Sequence, residues 1–155
     1  MDNQNIKANI TAVGKYVPKT IITNYEFEKN LDTTNDWIVS RTGIKERRKV
    51  SDNETSASMG VHAVNDILQR TKLNPEDIDA IIVSTITPDM FFPSCACLIQ
   101  KEIGAINAWG FDLSAACSGF VFGLETASNM IKSKKYNKII VVGVDTMSSI
   151  LDYED

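Results

Sequence analysis

The chain has 155 residues, the length of one ordinary domain. Hydrophobic residues make up 43% and charged residues 23%, which excludes wholesale disorder and fibrous repeats. A net charge of −4 argues against a protein that coats nucleic acid.

Residues 6–13 alternate Ile6, Ala8, Ile10 and Ala12, and predict a first strand. Asn24 is expected to cap a short helix running to Asn30. Thr34 opens a second helix over 35–41, which Gly43 closes. Residues 44–50 read as a charged edge strand or an extended segment. A longer helix over 55–72 gathers Ala57, Gly60, Val61, Val64, Ile67 and Leu68 on one face. From Ala80 the pattern becomes strand and helix in alternation. Ala80-Ile81-Ile82-Val83-Ser84-Thr85 is a continuous apolar, β-branched run, as in a strand covered on both faces. Pro93 starts a helix to about Glu102, residues 108–113 form a strand, residues 117–133 a helix, and residues 138–144 another buried strand. Buried strands joined by helices predict an α/β layer arrangement with a mainly parallel sheet. The stretch 113–131 carries a single charge, Glu125, yet is dotted with Ser, Thr and Asn. It reads as a helix inside protein rather than a membrane span, and one so apolar all round should be covered by more chain or by a partner.

His62 is the only histidine, so a mechanism needing a second imidazole must take it from elsewhere. With Ser58, Asp66 and Gln69 it forms the polar stripe of the 55–72 helix, the place of a solvated surface residue. Three cysteines without framework spacing, and no leader-like N-terminal pattern, imply reduced thiols in the cytoplasm. Cys95 and Cys97 lie two apart on a helix, so their thiols diverge, and no metal site is expected.

The segment Phe111-Asp112-Leu113-Ser114-Ala115-Ala116-Cys117-Ser118-Gly119-Phe120 carries the chemistry. A buried strand runs into small residues, then a cysteine, then an apolar helix. Small residues permit a sharp turn that sets the thiol at a helix N-terminus. Amide N–H groups and the helix dipole there favour negative charge on sulfur and could hold a thioester oxyanion. A cysteine that merely packs as a small hydrophobe fits the same spacing.

Asp112 to Phe120 resembles the active-site segment of the β-ketoacyl-acyl carrier protein synthase III family, thiolase-like condensing enzymes. Three further segments match in order: Thr33-Thr34-Asn35-Asp36-Trp37-Ile38-Val39-Ser40-Arg41-Thr42-Gly43-Ile44, then Phe92-Pro93-Ser94 with Ile99-Gln100, and Val141-Val142-Gly143-Val144-Asp145. The resemblance covers essentially the whole chain. It implies that residues 1–155 are the N-terminal half of a protein about twice as long, with a five-layered α-β-α-β-α fold. The half present would hold a mainly parallel five-stranded sheet with helices on both faces.

By that resemblance Cys117 takes an acyl group, typically acetyl, from coenzyme A, which is a substrate rather than a cofactor. Malonyl-acyl carrier protein then loses carbon dioxide and its carbanion attacks the enzyme thioester, initiating fatty-acid synthesis. The family's enolate-holding His and Asn fall in the second half, so these 155 residues alone are expected to be inactive. Thr33, Trp37 and Arg41 match residues at the coenzyme A entrance. Trp37 and Arg41 stand four apart on one helix and share a face, as an adenine and its phosphates require. Phe92 matches an aromatic that enters the neighbouring subunit's acyl pocket, which implies a homodimer. Met90-Phe91 departs from the smaller residues expected there and leaves primer size open. Lys45, Arg47, Arg48 and Lys49 form the one basic cluster, read as a solvated strand face. Two alternatives to this synthase are a related condensing enzyme of secondary metabolism and a non-catalytic α/β module.

Overall fold

The computed structural model describes residues 6–153. Two units are distinguished: one holds the described residues up to Tyr16 together with Thr55–Asp145, the other Val17–Glu54 together with the residues from Thr146 on.

The first unit is built on a three-stranded parallel sheet in the order β4-β3-β5, with β3 Ala80–Ser84, β4 Trp109–Leu113 and β5 Ile139–Gly143. All five residues of β3 are buried, as the apolar run predicts. Period-two alternation sorts them between two layers. Ile81 and Val83, with Ile140 and Val142, enter a core shared with α3 (Ser56–Thr71) and α4 (Cys95–Ile103). Ile82, Ser84 and Val141 face α5 (Gly119–Lys132) on the other side, against Gly119 and Gly123.

Helix starts in this unit are secured by side chains, because the first amides of a helix lack an intrahelical acceptor. Thr55 and Ser58 form a reciprocal capping box at α3. Asp89 also accepts the Ala57 amide there, at 2.8 Å. At α4, Ser94 caps the Cys97 amide, and Asp112 on β4 accepts the amides of Cys95 and Ala96 at 2.7 and 2.9 Å.

The second unit holds a two-stranded antiparallel sheet, β1 Thr20–Thr23 against β2 Glu46–Lys49, with α1 Asn24–Phe27 and α2 Asn35–Thr42. Thr34 caps α2 through its hydroxyl, and Gly43 closes it at φ 70°. Both signals were plain in the sequence.

Three expectations change. Residues 6–13 form no strand; contacts with α3 begin at their end, where Arg70 donates to the Val13 carbonyl and the Lys15 amide donates to Asp66. The five described strands form a sheet of three and a sheet of two instead of one sheet of five, because Thr20–Thr23, a β-branched run, finds its partner in Glu46–Lys49. The short helix is capped by Thr23 rather than Asn24, whose side chain is buried and bonded elsewhere. The described residues cover one face of α5, where Gly119, Gly123 and Ala127 are buried; Phe120, Val121 and Phe122 are exposed, and for these the expected cover is more chain or a partner. No helix of the described residues is long and apolar enough to cross a membrane.

Candidate active site

The three parallel strands end together, and their carboxyl ends carry the chemistry-bearing loops, the usual place for ligands in open α/β sheets. Beyond Leu113 the chain reaches Ala116, which takes a left-handed conformation at φ 45°. A non-glycine residue pays a strain of about 1–3 kcal/mol there, which the surroundings must offset. The turn Ala116–Ser118 that follows is a short 3₁₀ segment closed by the Ser118 amide on the Ala115 carbonyl at 3.1 Å. This turn leaves Cys117 exposed, immediately before α5. Among the described residues the thiol is exposed rather than packed.

Glycines bring α5 close to the sheet. A Cβ on Gly119 would stand 3.1 Å from the Ser84 Cβ, and one on Gly123 would stand 3.0 Å from Val141 and 3.2 Å from the Ser84 hydroxyl. That hydroxyl is buried and has no hydrogen-bond partner among the described residues.

Cys95 contrasts with Cys117. It is buried at the start of α4, and burial pushes its thiol up to about 12, against the backbone hydrogen bond of Asp89 and with the Asp112 carboxylate adding to the rise. Alkylation by iodoacetamide should therefore label Cys117 and leave Cys95 untouched even at about pH 9, since the thiolate is the reacting form. Peptide mapping reads this directly; early label on Cys95 would contradict the burial. The folded value lies above the ordinary 9.0, so the stability linked to this thiol is full below about pH 9 and is lost as pH rises through about 12.

After β3 the chain is held at its root. Asp145, beyond β5, accepts through one oxygen from the Thr85 hydroxyl, the Ile86 amide, and the Thr87 amide and hydroxyl, at 2.8–3.2 Å. Ser56 donates to the Thr87 carbonyl at 2.6 Å. The loop then presents Phe91 and Phe92, 103% and 88% exposed, ahead of a cis Phe92–Pro93 bond. The matching segment Val141 to Asp145 had no role assigned from sequence; the role of Asp145 depends on a loop some sixty positions earlier.

In the second unit, Thr33 and Trp37 line a cavity of about 410 Å³ with Phe27, Leu31, Asp32, Ile38 and Arg47. Trp37 is 52% exposed, and the Arg41 guanidinium lies over its ring at 4.3 Å, as their four-residue spacing predicts. Trp37 is thus not core. Arg47 is the residue that the sequence reading missed. The basic cluster is only partly a solvated face: Arg47 and Lys49 turn inward, over Phe27 at 4.7 Å and Tyr153 at 4.5 Å. Strand alternation within Glu46–Lys49 was the available signal. His62 is exposed and stacks on Tyr16 with ring centroids 4.6 Å apart, in keeping with a surface residue.

The family described as 3-oxoacyl-[acyl-carrier-protein (ACP)] synthase III matches residues 111–155. The β-ketoacyl-[acyl-carrier-protein] synthase III of Chlorobaculum tepidum is 52% identical over 151 residues, 97% of this chain and 46% of that protein. Among solved structures, the 3-oxoacyl-[acyl-carrier-protein] synthase III of Aquifex aeolicus aligns with a TM-score of 0.88 at 44% identity, over 92% of this chain and 46% of its own. The priming β-ketosynthase of a polyketide biosynthetic pathway aligns with a TM-score of 0.88 at 38% identity, over 92% and 43%. The chain spans about half the length of the curated relatives it matches.

Proposed function

From a chain that matches β-ketoacyl-[acyl-carrier-protein] synthase III in sequence and in thiolase-like fold, we propose that it is the N-terminal half of a condensing acyltransferase with Cys117 as nucleophile. The observation that carries this is the exposed thiol held by a left-handed alanine at the start of α5. The sulfur attacks the carbonyl of acyl-CoA; the carbon–sulfur bond to coenzyme A breaks and the acyl group remains on Cys117 as a thioester. Malonyl-acyl carrier protein then loses carbon dioxide, and its carbanion attacks that thioester. A new carbon–carbon bond forms, a 3-oxoacyl-carrier protein leaves, and Cys117 departs as thiolate. A thiol suits both steps, being a good nucleophile and later a good leaving group.

Thr33, Trp37 and Arg41 hold the coenzyme A nucleotide in this reading. The half-exposed indole with a guanidinium stacked on it supports the assignment. Phe92 reaches into the acyl pocket of a second copy in a homodimer, for which its exposure on a loop pinned by Asp145 is the support. No cofactor takes part, and the cytoplasm, where thiols stay reduced, is the compartment.

The likeness to a polyketide-priming ketosynthase supports a second reading with the same chemistry and another primer. Incubating the full-length protein with acetyl-CoA, then mapping its peptides by mass, tests the assignment. The expected result is an acetyl group on the Cys117 peptide that hydroxylamine removes. A stable adduct elsewhere, with Cys117 free, would overturn it. Acylation only by longer or branched acyl-CoA would favour the second reading.

A further inference from the structure

Arg47 lies on β2, where alternation leaves Glu46 and Arg48 exposed and turns Arg47 and Lys49 inward. Its guanidinium is fixed from two sides. The Phe27 ring lies beneath it at 4.7 Å, and its Nη1 donates to the Asn24 Oδ1 at 2.6 Å. Asn24 is fully buried, and its own amide donates to the Asn35 Oδ1 at 3.1 Å and the Ile44 carbonyl at 2.8 Å. With the Asn24 donors committed, its oxygen has one orientation, and Arg47 is held in that orientation before any ligand arrives.

The described contacts use one of the five N–H donors of a guanidinium. The ion pairs among the described residues are Arg48–Glu46, Arg70–Asp66 and Lys138–Asp77, none of which includes Arg47. Yet the side chain is half-buried and lines the same cavity as Thr33 and Trp37, with Asp32 the one carboxylate in that lining. A pre-oriented arginine with donors to spare beside an aromatic face is suited to a phosphate, which its planar fork can grip with two parallel hydrogen bonds. Arg41 is differently placed: it is exposed and stacked on Trp37, on the aromatic side of the site.

We propose that Arg47 is a phosphate-binding residue of the cavity lined by Thr33 and Trp37, gripping an anionic phosphate of the nucleotide on the acyl donor. This rests on the reading of that cavity as the nucleotide site. It adds to the Trp37 and Arg41 pair a second cation, carried on a different element.

The test is calorimetric binding of three probes to the full-length protein: coenzyme A, its 3′-dephospho form, and pantetheine, which lacks the nucleotide. Arg47→Gln should weaken coenzyme A about tenfold, which is about 1.4 kcal/mol, and leave pantetheine unchanged. Arg47→Lys, which keeps the charge but not the fork, should recover part of the loss, and serves alone if the Gln variant does not fold. The dephospho probe identifies the contact: an undiminished loss points to the pyrophosphate, a vanished one to the 3′-phosphate. A loss of equal size for pantetheine would mean that Arg47 only braces Phe27 and Asn24, and would overturn the proposal. Trp37→Ala separates the two readings. If it weakens coenzyme A while the Arg47 variants bind normally, the inference fails alone. If neither substitution matters, the nucleotide site fails with it.

Discussion

Replacing Cys117 with alanine should abolish acyl transfer in the full-length protein, with kcat/KM for condensation falling on the order of 10⁴-fold or more, as when other enzymes lose their nucleophile. Serine at the same position should fare little better. A serine hydroxyl is barely ionised near neutral pH and is a poorer leaving group than a thiolate, so both halves of the transfer suffer. Thermal unfolding of the variant beside the parent protein checks that the loss is chemical and not a loss of fold. Single-turnover transfer of radiolabelled acetyl from acetyl-CoA separates this loss from a defect in carrier-protein binding. A Cys117→Ala protein that still accumulates a labile acyl-enzyme would remove the mechanism.

Gly110→Ala should be strongly destabilising for a single added methyl. Gly110 sits on β4 opposite Ile81 of β3. A Cβ there would stand 2.6 Å from the Ile81 carbonyl oxygen and 2.9 Å from the Ala96 Cβ on α4. Both neighbours are short, and one is backbone of the central strand, so neither can swing aside. Overpacking of this kind costs about 1–3 kcal/mol. Because β4 leads directly to the Cys117 turn, displacement of the strand should also lower the rate of acylation. Gly104→Ala is the control: Gly104 closes α4 at φ 74° with nothing within 4 Å of an added Cβ, so its cost is conformational, about 1 kcal/mol. Urea unfolding midpoints should rank Gly110→Ala below Gly104→Ala. The reverse order would show that the close approach relaxes freely.

Most local elements, the candidate nucleophile Cys117 and the family likeness were legible along the chain alone. Caps such as Thr34, Gly43 and Ser94 act within one helical turn, and the apolar run Ala80–Ser84 needs only its own composition to read as a covered strand. Free energies of that kind depend on neighbours a few residues away, so they can be read along the chain. Which strands pair, how the Cys117 turn is bent and which way Arg47 points depend on long-range packing. β1 is extended because β2 lies beside it, and Arg47 is held by a buried asparagine 23 residues earlier. Asp145 meets its four donors across 58 to 60 positions. The left-handed Ala116 is likewise invisible in sequence, since nothing about alanine favours that conformation and only the junction of β4 with α5 imposes it. Pairing and orientation are set by partners distant in sequence, whose approach depends on how the layers pack.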